Sequence, residues 1–102
     1  MTIGLEFYID DQGMHCARGE DDRLATYLQT DLQGSTTRTA ELIALLKDHE
    51  FSGEFTGNGH CVDFRDNSVL IEAMHDDDAP DRVLSRADML DHVEAWLDFI
   101  SN

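Results

Sequence analysis

The stretch "GEFTGNGHCVDFRDNSVLIEAM", residues 53 to 74, restricts this chain more than any other. Three runs of strand-forming residues are separated by Gly57, Asn58 and Gly59 and then by Asp66 and Asn67. Asn-Gly and Asp-Asn suit tight hairpin turns, because these residues tolerate positive φ. Val62 and Phe64 share one face, as do Val69, Ile71 and Ala73, so each run reads as a strand with one buried side. An antiparallel sheet is therefore expected over this half of the chain.

A second hairpin is expected at the start. Ile3, Leu5, Phe7 and Ile9 point one way, while Glu6, Tyr8 and Asp10 point the other. "DDQG" at 10 to 13 reads as the turn, and Met14 to Arg18 as the returning strand. The next segment, "GEDDRLATYLQTDLQG", admits two readings. Leu24, Tyr27, Leu28 and Asp31 have helical spacing with Asp21 or Asp22 as cap, yet "LATYL" also suits a third strand. The strand or an irregular segment is preferred, since the sheet would otherwise be small.

Two helices are expected with more support. "STTRTAELIALLKDHEFSG" starts at Ser35 or Thr36, whose hydroxyls can accept from free first-turn amides, and Gly53 lies past its end. Ala40, Leu42, Ile43, Ala44, Leu45 and Leu46 give it a wide apolar face. "SRADMLDHVEAWLDFISN" begins at Ser85 with Asp88 three residues on, close to a capping box. Met89, Val93, Trp96, Leu97 and Ile100 form its stripe, opposite Asp91, Glu94 and Asp98. The expected architecture is one α+β domain over residues 1–102: a small antiparallel sheet from two hairpin units with two amphipathic helices on one face, in the order ββ(β)αβββα.

Charge restricts function. Seven Lys and Arg stand against 22 Asp and Glu, a formal net charge of −15, while 41% hydrophobic residues argue for a folded body. Nucleic acids draw much of their affinity from Lys and Arg on phosphates, so DNA or RNA is excluded as a partner. An anionic membrane is disfavoured for the same reason. "MTIGLEFYIDD" lacks the basic start and apolar stretch of a signal peptide. No run nears the roughly 20 apolar residues of a membrane helix. With two cysteines and no disulfide framework, a cytoplasmic setting is expected. The same acidity would also suit solubility or a halophilic source.

No motif assigns an enzyme activity. There is no glycine-rich phosphate loop, no Gly-x-Ser-x-Gly and no His-Glu-x-x-His. A Cys61–His92 pair is the one nucleophile–base combination worth locating. "EAMHDDDAPD" at 72–81 lacks the Gly and Glu positions of a calcium-binding EF-hand loop. His15–Cys16 and His60–Cys61 supply zinc-type ligands, but neighbours in a strand face opposite sides, so each pair can offer one. No cofactor and no metal are expected.

What remains is a binding protein steered by its field, since opposite charges raise association rates about 10- to 1,000-fold. The candidate contacts are Asp76, Asp77, Asp78 and Asp81, then Glu20, Asp21 and Asp22, with Tyr8 and Tyr27 as aromatic anchors. Two segments carry a resemblance: "GHCVDFRDNSVLIEA" and, past an acidic linker, "MLDHVEAWLDFI" are similar to the hairpin and terminal helix of the YacL family, small acidic bacterial proteins without a settled activity. In length, acidity and layout the chain also resembles the immunity proteins of bacterial toxin systems, including contact-dependent inhibition. That resemblance implies a basic toxin domain, a nuclease by preference, as the partner whose active site is covered. The alternative is a YacL-like small acidic regulatory or binding protein with no toxin partner, for which a homodimer is one mode of action.

Overall fold

A computed structural model describes residues 5–48, 50–74 and 81–101. The first hairpin pairs β1 (Leu5–Ile9) with β2 (His15–Gly19). Gly13, at φ 80°, sits where a side chain would be strained, and the bonds Gly13 N to Asp10 O and Asp10 N to Met14 O close a three-residue loop with a bulge. β3 (Gly53–Thr56), β4 (His60–Phe64), β5 (Ser68–Ala73) and β6 (Arg82–Ser85) then form a second antiparallel sheet in chain order. The α+β class stands as the sequence indicates. Three details differ from the sequence expectation: the hairpins build two separate sheets, residues 82–85 add a fourth strand to the second, and three helices are present.

The segment after β2 is helical, which corrects the preference for a third strand. Helix α1 (Asp22–Tyr27) runs into a π-helical turn, Leu28–Leu32, closed by the bond from Gln33 N to Leu28 O, 2.8 Å. Asp21 decides this locally by accepting from Leu24 N at 3.1 Å, satisfying a first-turn amide. Leu24, Tyr27, Leu28 and Leu32 then reach the core with helical spacing. Strand alternation would have turned Tyr27 away from Leu24 and Leu28.

Helices α2 (Thr36–Lys47) and α3 (Arg86–Ile100) are capped as expected, Ser35 Oγ accepting from Arg38 N and Ser85 Oγ from Asp88 N. Leu42 and Leu46 of α2 and Met89, Val93 and Trp96 of α3 meet Phe55, Val62, Phe64, Val69, Ile71 and Leu84 from one face of the four-stranded sheet. Trp96 ties the smaller sheet in: Phe7 packs edge-on against it at 5.2 Å, and its indole N–H donates to Gln33 O at 2.9 Å. Gln33 has φ 52°, so the residue ending the π turn presents its carbonyl from a left-handed conformation. On the sheet's other face Glu54, Asp63, Leu70 and Val83 lie in one row.

Arg86 holds the junction of four segments. The residue is buried, 6% exposed, yet among the described residues its guanidinium meets carbonyls and no carboxylate. Nη1 donates to Asp48 O, Nη2 to Phe51 O and Arg65 O, and Nε to Arg65 O. The end of α2, the following loop and the β4–β5 turn are thereby pinned to the first residue of α3.

Candidate protein-binding surface

Every cation in the chain is engaged internally. Arg18 pairs with Glu6 at 3.1 Å, Arg38 with Glu41 at 3.3 Å, Lys47 with Glu94 at 3.7 Å, Arg65 with Asp63 at 3.1 Å and Arg82 with Asp21 at 2.8 Å. Arg23 meets His60, and Arg86 is taken by carbonyls. Among the described residues, Asp11, Glu20, Asp22, Glu50, Asp66, Asp81, Asp88 and Asp91 are exposed without an ion pair. Among the described residues, the exposed charged side chains left without an ion pair are therefore carboxylates. Most of these pairs are solvent-exposed and contribute little to stability, so their main consequence is the field they leave behind.

The Asp21–Arg82 pair ties the start of α1, with Glu20 and Asp22, to the residue that follows Asp81. Asp21 and Arg82 stand 61 positions apart, and the bond from Arg82 Nε to Asp21 Oδ2 seats the start of α1 beside the start of β6. Glu20 and Asp22 on one side and Asp81 on the other are exposed, flanking this pair. Asp21 itself is not a surface contact. It is 8% exposed, and its two oxygens serve the α1 cap and Arg82. Asp76, Asp77 and Asp78 lie outside the described residues.

The two aromatic candidates part ways. Tyr8 is half-buried on the outer face of the first hairpin, with the Arg18 guanidinium over its ring at 4.8 Å. Tyr27 is 0% exposed, so it anchors the core and no partner. The sequence suggested a surface role because Tyr27 is flanked by acids. Helical spacing instead turns it inward with Leu24 and Leu28.

Behind the surface lies a polar cluster that spacing alone does not reveal. Asp31, on the π turn, is buried and accepts from Gly59 N at 3.2 Å and His60 N at 2.9 Å through Oδ2. Its Oδ1 accepts from Thr30 Oγ1 at 2.8 Å and meets His60 Nδ1 at 2.9 Å. Arg23 Nη1 stands 3.1 Å from His60 Nε2. Because a guanidinium can only donate, Nε2 is the acceptor and Nδ1 carries the proton given to Asp31. Both ring nitrogens are thus occupied, and the cluster fastens the β3–β4 turn to the π turn. Gly57 completes it, since an added Cβ would fall on the Asp31 carboxylate.

The Tyr27 ring stacks edge-on against His60, centroids 5.8 Å apart, and its hydroxyl is buried with no hydrogen-bond partner among the described residues. Burial, and after it the Asp31 carboxylate, push that hydroxyl's pKa upward, so it stays neutral. A buried hydroxyl without a partner costs stability. Tyr27→Phe is therefore expected to raise the unfolding free energy by about 1 kcal/mol, measured by urea denaturation.

Strand alternation separates the candidate metal and nucleophile groups. His60 turns inward to Asp31, while Cys61 faces the other side and its thiol donates to Glu54 Oε2 at 3.2 Å. Burial and then this Glu54 bond push the Cys61 thiol pKa up, away from the reactive thiolate. His92 is on α3, packed against the opposite face of the sheet, so the Cys61–His92 pair does not form. No described helix is long and apolar enough to cross a membrane. Comparisons with protein-family models, with curated proteins and with solved structures return no match.

Proposed function

We propose that this chain is a non-enzymatic immunity protein that binds a basic toxin domain, a nuclease by preference, and covers its active site. The observation that supports the reading is the Asp21–Arg82 pair, which sets the segment of Glu20 and Asp22 beside that of Asp81, while every Lys and Arg is held internally. A cleft built to hold nucleic-acid phosphates is lined with Lys and Arg, and a carboxylate patch answers it in sign. Glu20, Asp22 and Asp81 are the described residues that would make first contact. The adjoining Asp76, Asp77 and Asp78 belong to the same reading by sequence.

The test is co-expression with the C-terminal domain of the large protein encoded immediately upstream. Growth rescue and a stoichiometric complex are expected, with an association rate that falls steeply as salt rises. Charge reversal of Glu20, Asp22 and Asp81 to Lys should lower that rate at least about tenfold at low salt and flatten its salt dependence. No toxicity and no complex would leave a YacL-like binding protein and defeat the toxin reading.

A further inference from the structure

Among the described residues the two antiparallel sheets have four edges, and on three of them a side chain takes one outward backbone group. In the first hairpin the Asp10–Met14 bond sets the alternation, so Tyr8 and Glu6 bond across to β2 while Phe7 and Ile9 direct their N–H and C=O groups outward. On β2 the outward N–H of Ala17 donates to Gln29 Oε1 at 3.0 Å. On β3 the outward carbonyl of Thr56 accepts from Arg38 Nη2 at 2.9 Å, with the guanidinium lying over Phe55. On β6 the outward carbonyl of Val83 accepts from Arg82 Nη1. Edges treated in this way are protected against stray strand pairing.

No described side chain takes an outward backbone group of β1 in this way. Among the described residues, nothing bonds to the outward backbone groups of Phe7 or Ile9. Beside this edge, Ile9 is 57% exposed although it shares the inward face with Leu5 and Phe7. Met14, across the turn, is also exposed. Glu6 lies on the strand's other face, Asp11 is at its tip, and Leu5 pairs with Gly19, the residue before Glu20 of the acidic patch.

We propose that the β1 edge is a strand-addition site for an extended segment of the partner in which cationic and apolar residues alternate. Its backbone would pair with the N–H and C=O groups of Phe7 and Ile9. One face of the added strand would set apolar residues beside Ile9, and the other would set Lys or Arg toward Asp11 and toward Glu6, where it would compete with Arg18. A second copy of the chain fits this edge less well, since each copy brings a net charge of −15. The basic character of the strand rests on the acidic-surface reading above, whereas the open edge does not.

The test uses the full chain and two capped peptides, one alternating Lys and Val, the other alternating Lys and Pro. Both carry the same charge, but only the first can form a strand ladder. The Lys-Val peptide is expected to slow amide exchange at Phe7 and Ile9 by about tenfold, and the Lys-Pro peptide to leave it unchanged. Equal protection by both peptides, protection at Glu54, Thr56 or Val83 instead, or none at all would overturn the proposal. Ile9→Pro removes an outward N–H that the hairpin does not use, so it should abolish binding of the Lys-Val peptide. A folded Ile9→Pro chain that still binds it at wild-type strength would also overturn the proposal. The peptides need no toxin, so failure of growth rescue with protection at β1 intact sinks the toxin reading alone.

Discussion

Arg86→Ala is expected to lower the unfolding free energy by about 3–5 kcal/mol, read as a fall in the urea midpoint with an unchanged slope. The side chain donates four hydrogen bonds to three carbonyls from a site 6% exposed to water, and it crosses the ring of Phe64 at 5.3 Å. Ala removes the donors and leaves a void. Phe51 O and Arg65 O then face the interior without the guanidinium, while Asp48 O keeps the bond from Phe51 N. Arg86→Met separates the two terms, because it restores most of the volume and none of the donors. If hydrogen bonding dominates, Met recovers less than half of the loss. A Met variant as stable as the wild type would show that Arg86 acts by filling space. A domain of this size has about 5–15 kcal/mol in total, so the Ala variant should sit close to unfolding at physiological temperature.

Asp31→Ala is the second large effect, expected at about 3–4 kcal/mol. Four bonds are lost at once: to Gly59 N, His60 N, His60 Nδ1 and Thr30 Oγ1. Asn does not rescue the site, because its amide nitrogen would set a donor against a donor on one side. Gly57→Ala attacks the same contact sterically, since an added Cβ meets Asp31 Oδ2, Cβ and Cγ. The two changes should therefore not add. In the Asp31→Ala background most of the cost of Gly57→Ala should vanish, giving a coupling above about 1 kcal/mol in a double-mutant cycle. Additive losses would mean that Gly57 is required for a reason other than Asp31.

The strands at 53–73 and the helices starting after Ser35 and Ser85 were legible because their signals are local. Period-two alternation, Asn-Gly and Asp-Asn turns, and a hydroxyl placed before an apolar stripe each act within a few residues. Residues 20–32 were misread for the same reason. "LATYL" carries strand-like composition, and its helical state is decided by the Asp21 cap together with a core that accepts Leu24, Tyr27, Leu28 and Leu32 from one side. β6 was missed because Arg82–Ser85 is four residues long and becomes a strand by pairing with Ser68–Ile71.

The candidate surface divides along the same line. The sequence by itself determined an α+β chain with an unbalanced negative charge, because charge is a sum and needs no coordinates. It also marked residues 20–22 and 76–81 as acidic. Only the tertiary structure decided that Asp21 and Tyr27 are interior, that Arg82 draws the start of α1 to β6, and that each cation is consumed within the molecule. It alone showed that Gln29, Arg38 and Arg82 each take an outward backbone group on three sheet edges, while no described side chain does so on β1. The physical reason is distance along the chain. Propensity and periodicity act between neighbours, whereas Asp21 meets Arg82 and Asp31 meets His60 across 61 and 29 residues. No local pattern records such pairs; they are fixed when burial of one shared core brings the segments together.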